Sequence, residues 1–166
     1  MSPIDWATRP LKKYADFSGR APRAEFWWFY LLMVIVYVAA VIVDTMIGSK
    51  IFGPYGLVAC LIFLALLLPY LAVAVRRLHD TNRSGWWMAA PLSLYAIGFA
   101  LIGPATMSSM ASGDASAMTG LGTASIFILL GVILGIVVLV FFLLPGTRGP
   151  NQYGDDPYAG GAARAM

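Results

Sequence analysis

Arg76, Arg77, His79, Asp80 and Arg83 stand in one short stretch, RRLHDTNRSGWW, residues 76–87. These residue types support three kinds of chemistry. A histidine beside a carboxylate can act as a general base. Clustered arginines are forks of donors for phosphate or carboxylate. An arginine and an aspartate three or four positions apart on a helix form an ion pair, and Arg76 and Arg77 both have that spacing to Asp80. Neighbours in sequence do not share a helix face, so His79 and Asp80 make a weak catalytic pair. No serine or cysteine is placed by motif to serve as nucleophile. Internal salt bridges rank first, anion binding second and catalysis a distant third. No catalytic residue is assigned, and the expected protein is not an enzyme.

The elements around this stretch must be read from composition. The chain has 166 residues, of which 60% are hydrophobic and 11% charged. A water-soluble domain keeps about a quarter of its residues charged. Most of this chain therefore cannot face water, and one membrane domain is expected. The net charge of +3 comes from basic residues that flank apolar segments and form no stripe, so nucleic acid is not an expected partner. Cys60 is alone, which excludes an internal disulfide or a cysteine metal cluster. No metal or other cofactor is expected. No cleavable signal peptide is expected either, because the first apolar run follows a charged segment and is too long for a signal-peptide core.

Four runs approach or reach the roughly 20 apolar residues that a bilayer crossing takes: Trp27–Ile47, Tyr55–Val75, Trp86–Gly103 and Ala124–Leu144. They must be helices, since an open strand leaves its backbone unsatisfied in lipid. Pro22 suits the first turn of span one, and Pro69 and Pro91 are expected to kink spans two and three. Of the 11 lysines and arginines, only Lys50 falls on the side opposite the others. The basic side stays in the cytoplasm, which puts both termini inside. Trp27, Trp28, Trp86 and Trp87 then mark the cytoplasmic boundary as interface anchors, with Trp6 close by. The layout is residues 1–26 as a cytoplasmic segment, 27–144 as an all-α four-helix membrane domain, and 145–166 as a cytoplasmic tail.

Three motifs carry a resemblance: FSGRAPRAEFWWF (residues 17–29), RRLHDTNRSGWW, and GTRGPNQYGDDP (residues 146–157). In this order, between four spans, they resemble the signature blocks of domain-of-unknown-function family 805, small bacterial inner-membrane proteins of the YhaH type. The resemblance covers residues 11–157. It implies about four helical spans and an inner-membrane location, and it implies no reaction. Asn82 stands where many members of that family have glycine, and asparagine can make the same left-handed turn. The expected topology puts all three blocks on the cytoplasmic side. Arg20, Arg23, Glu25, Arg76, Arg77, His79, Asp80, Arg83, Asn151, Tyr153, Asp155 and Asp156 are then candidates for one polar patch. Its expected ligand is an anionic lipid headgroup, a small anion or a protein partner.

Other features have simpler readings. Asp44, near the end of span one, is expected at a wetted helix end, since only deeper charges default to function. No charged residue lies mid-span, which counts against an ion-coupled carrier. An oligomeric pore or transport protein is the alternative reading, and a membrane-bound enzyme the third. Gly131 and Gly135 form a G-x-x-x-G pair that suits close helix packing, within the chain or in a homo-oligomer. Ser84 suits a cap for span three. Met107, Met110 and Met118 lie in the segment 105–123, which reads as a flexible Gly/Ser/Ala linker in preference to a copper site. Leu11, Tyr14 and Phe17 suit a short interfacial helix before span one. The last residues, AGGAARAM, are expected to be disordered.

Overall fold

The computed structural model describes residues 1–48, 56–112 and 116–159, excepting the side chains of 104, 105 and 107–119. The regular structure described is helical: α1 (Pro3–Lys12), α2 (Arg23–Met46), α3 (Leu57–Asp80), a 3₁₀ turn (Gly85–Met88), α4 (Ala89–Ser112) and α5 (Ser116–Leu143). Four of these segments are long and apolar enough to cross a membrane. Their large side chains are bare over wide areas, among them Ile35, Ile42, Leu64, Leu129 and Ile133. Apolar surface on that scale needs a lipid solvent, and the chain is an all-α integral membrane protein.

Two compact units divide the chain: residues 1–83 with 145–166, and residues 84–144. In the first unit, α1 begins with a capping box in which Ser2 and Asp5 satisfy each other's backbone amides. The Ser2 amide and hydroxyl hold the Asp5 carboxyl below its usual range. The expected helix over residues 11–17 is thus replaced by one over 3–12. It buries Trp6, Ala7 and Pro10 and packs against α2.

The spans also correct the sequence reading at their ends. Pro22 is the N-cap of α2, not a member of its first turn. Because proline has no side-chain acceptor, the Arg23 amide donates instead to the Tyr158 hydroxyl at 3.1 Å. Asp44 is not at a wetted end. It is 3% exposed, and its carboxylate accepts the amides of Val58 and Ala59 at 3.1 and 2.7 Å. It caps α3 from the neighbouring helix, where free amides and the helix dipole favour an anion. Gly56 makes this approach possible, because a Cβ there would overlap the Asp44 side chain.

Pro69 does not break α3, which runs unbroken from Leu57 to Asp80. A proline has no amide for the carbonyl four residues earlier. That carbonyl belongs to Ala65, and it accepts the Tyr14 hydroxyl.

In the second unit, α4 packs along α5. Pro91 falls in the first turn of α4 and not within the helix interior. Gly131 and Gly135 seat the ring of Tyr95: a Cβ on Gly131 would lie 3.0–3.3 Å from the ring, and one on Gly135 would be 3.4 Å from the hydroxyl. The G-x-x-x-G pair is therefore filled by packing inside the chain. Ser84 accepts the Trp86 amide and caps the 3₁₀ turn. The segment expected as a linker is helical where described, with α4 continuing to Ser112 and α5 starting at Ser116. Alanine and methionine favour helix, and the composition misread as a linker reflects their small neighbours. The side chains of Met107, Met110 and Met118 lie outside the described residues, as do Lys50, Tyr55 and residues 160–166.

Candidate functional site

The last turns of α3 carry the arginine-rich stretch, and a helix end leaves its final carbonyls without partners. The other two motif blocks supply donors to carbonyls in these turns. The Ala21 amide donates to the Arg76 carbonyl at 3.0 Å. Asn151 Nδ2 donates to the His79 carbonyl at 2.9 Å. Thr147 donates its amide and hydroxyl to the Asp80 carbonyl at 2.8 and 3.1 Å. Asn82 makes the left-handed turn expected of it, at φ 58°.

Side chains bind the same three blocks together. Asp80 is fully buried and pairs with Arg77 one turn earlier on the helix. Its other oxygen takes Arg20 Nε at 3.1 Å and Nη2 at 3.0 Å. The Arg20 fork continues to the carbonyls of Gly149 and Thr147, each at 2.6 Å. Gly146 lies so close that a Cβ there would overlap the Asp80 carboxylate. Asp80 is thus a joint at which blocks one, two and three meet, with its charge answered on both oxygens.

A second acid lies on the same unit with a different environment. Glu25 is fully buried and meets Arg76 Nη1 at 2.9 Å. Arg9, from α1, reaches the other Glu25 oxygen at 3.5 Å. Both Glu25 oxygens and both terminal nitrogens of Arg76 are nonetheless buried without an aligned hydrogen bond. Proximity of charge holds this pair, not bond geometry. Among the described residues of this assembly, three buried arginine side chains, Arg20, Arg76 and Arg77, face two buried carboxylates, Glu25 and Asp80. The buried balance is positive, and Arg9 at the edge adds to it.

The remaining candidates have separate partners. His79 Nδ1 lies 3.1 Å from the Gly19 carbonyl, which assigns its proton to that nitrogen. The His79 ring stacks on Tyr153 with centroids 3.8 Å apart. These contacts position the imidazole. Asn151 Oδ1 accepts the Tyr153 amide at 2.8 Å. Asp156 accepts the amides of Gly149 and Tyr158, while Asp155 and Arg148 are exposed. Arg83 donates to the carbonyl of Thr81 in its own loop at 3.1 Å. Trp27 and Trp28 are half-buried at the start of α2, and Trp86 and Trp87 are exposed. An apolar groove of about 340 Å³, lined by Met33, Val34, Tyr37, Ile62, Phe63 and Leu66, takes no part in this assembly.

Sequence reasoning left open which arginine serves which acid. The structure gives Arg77 to Asp80 and Arg76 to Glu25. It also adds Arg9, Gly146, Thr147 and Tyr158. The last three stand in or beside the third motif block, whereas nothing in the spacing singled out Arg9.

Comparison with known proteins identifies relatives of the chain. The model of a family described as "Protein of unknown function (DUF805)" matches residues 14–155. The chain is similar to the inner membrane protein YhaI of Escherichia coli K12, at 33% identity over 95% of this chain and 98% of that protein. It is similar to the inner membrane protein YhaH of the same organism, at 29% identity over 93% and 97%. A third relative, the uncharacterized protein YiiR, is 27% identical over 84% of each chain. No solved structure matches.

Proposed function

The chain belongs to the DUF805 family, and on that premise we propose that it is a non-enzymatic module of the bacterial inner membrane that binds phosphate at its arginine assembly. Both termini lie in the cytoplasm in this reading, and the phosphate belongs to an anionic lipid headgroup or to a free anion. The names of the relatives support the location. The concentration of arginine and lysine on one side supports the orientation.

One observation carries the binding role. Arg76 is buried beside Glu25, yet its terminal nitrogens have no aligned acceptor, in an assembly whose buried arginines outnumber its buried acids. Buried guanidinium nitrogens without aligned acceptors are costly, and a phosphate oxygen satisfies them with charge and direction together. The inner leaflet supplies such groups.

The test is lipid retention by the purified protein, read by native mass spectrometry at matched detergent. The parent is expected to retain phosphatidylglycerol over phosphatidylcholine, and Arg76→Lys, which keeps the charge and loses the fork, is expected to retain several-fold less. Displacement of the lipid by millimolar inorganic phosphate identifies a site for the free anion as well. Equal retention by parent and Arg76→Lys overturns the reading and leaves the assembly as a joint alone. Loss of lipid upon binding of an acidic peptide would instead identify a protein partner.

A further inference from the structure

The N-terminal helix presents a surface that the arginine assembly does not use. α1 has three faces. Trp6, Ala7 and Pro10 are buried, in the helix that packs on α2. Ile4 and Leu11, seven positions apart, form a stripe about 100° around the helix from that face. This stripe is bare, with Ile4 74% and Leu11 38% exposed, and Met1 beyond the helix start is 60% exposed. Asp5 and Lys12, also seven apart and exposed, lie about another 100° around. A helix lying against a span, at the edge of a bilayer, needs this arrangement: one face to the protein, one to the acyl chains and one to water.

The contacts beyond α1 place the segment beside bilayer-spanning helices. Arg9 meets Glu25 in the first turn of α2. Tyr14 then reaches the Ala65 carbonyl, which lies about 22 Å along α3 from Asp80 at 1.5 Å per residue. That carbonyl is the one that Pro69 leaves without an amide. The chain following α1 is thus fastened within the part of α3 that is apolar enough to cross a membrane. Lys12 and, paired with Asp16 at 3.4 Å, Lys13 sit at this same end, where an anionic leaflet attracts them.

We infer that residues 1–13 form an interfacial anchor, with Met1, Ile4 and Leu11 inserted among the lipids of the anionic leaflet and Lys12 and Lys13 at its headgroups. Its partner is the lipid surface itself, and the inference stands whether or not Arg76 binds phosphate. Tyr14 is the fastener that keeps the anchor against α3.

The experiment uses the full chain in nanodiscs of phosphatidylcholine and phosphatidylglycerol doped with a phospholipid carrying a diazirine on its acyl chain. After illumination, the lipid adduct is mapped by mass spectrometry on the unmodified protein. Adducts are expected on Met1, Ile4 and Leu11 and several-fold fewer on Asp5 and Lys12. Ile4→Asn with Leu11→Asn is expected to remove the adducts from this segment while those on α2 and α5 persist, which shows that the protein remains inserted. The inference is overturned if residues 1–13 take no label in the unmodified protein, or if Asp5 and Lys12 label as heavily as Ile4. It is equally overturned if the stripe labels only in discs holding one copy and is shielded in discs holding two, because a second copy is then its partner.

Discussion

Asp80 and Glu25 are both fully buried acids that meet arginines within one unit, and they are built differently. Around Asp80, arginines from two motif blocks donate to both carboxylate oxygens, and the Arg20 fork reaches on to carbonyls of the third block. Around Glu25, the arginines are near enough for ion pairing, yet no aligned hydrogen bond forms. A buried ion pair offsets its desolvation only where its remaining donors and acceptors are satisfied. The Asp80 cluster meets that condition and reads as a structural joint. The Glu25 cluster does not, and its loose end is the terminal nitrogens of Arg76, where the proposed anion would bind.

The strongest way to break this contrast is at the joint. Asp80→Asn leaves Arg20 and Arg77 buried without their acid, and removal of one partner from a buried pair costs about 3–5 kcal/mol. Thermal unfolding in detergent should show the largest drop of any single change here. If Asp80→Asn is no worse than Glu25→Gln, the distinction fails. Glu25→Gln also strands a buried arginine, Arg76, but it breaks no aligned hydrogen bond and leaves an amide oxygen beside the guanidinium, so a smaller loss on the order of 1–3 kcal/mol is expected.

Gly146→Ala sharpens the same point from the other side of the joint. The new methyl group would enter the space of the Asp80 carboxylate, and overpacking of this kind costs about 1–3 kcal/mol. The loss should largely disappear when Asp80 is already alanine, which leaves that space empty, a non-additivity that a double-mutant cycle reads directly. Strict additivity would mean that Gly146 acts elsewhere.

Farther from the joint, the effects shrink. Asp44→Ala removes a cap supplied by a neighbouring helix, and cap losses run at about 0.5–2 kcal/mol. Tyr14→Phe should cost about 1 kcal/mol, the net worth of one hydrogen bond. Its clearer signature is local: the Ala65 carbonyl loses the hydroxyl that takes the place of the missing Pro69 amide, and exchange of nearby α3 amides should quicken. Unchanged exchange there would remove Tyr14 as the fastener of the N-terminal segment.

The spans were legible because a bilayer demands long apolar runs, and Asn82 because a left-handed turn admits few residues. Gathering the three blocks also followed from putting them all on one side. Pairing was not legible. Arg76 and Arg77 have equally good helical spacing to Asp80, and the choice depends on Arg20 arriving from a distant block and on Glu25 facing the other arginine. Asp44 shows a similar gap. Its position along α2 set its depth, but only the return of α3 beneath it, with glycine at position 56, turns a wetted end into a buried cap. At the N-terminus, the capping box of Ser2 and Asp5 outweighed the spacing of Leu11, Tyr14 and Phe17. In α5, the spacing of Gly131 and Gly135 announced a close contact, and only the structure identified Tyr95 as its occupant.

The contrast between a satisfied joint and an open arginine is tested most directly by the thermal stability of the purified protein titrated with phosphatidylglycerol. A ligand that binds only the folded state stabilises it by about 2.7 kcal/mol at a hundred times its dissociation constant. The unfolding temperature of the parent and of Arg83→Gln should rise with phosphatidylglycerol and not with phosphatidylcholine, whereas that of Arg76→Gln should stay flat. An equal rise in Arg76→Gln and the parent would contradict the account, because the anion would then bind without the guanidinium whose terminal nitrogens are buried without an aligned hydrogen bond.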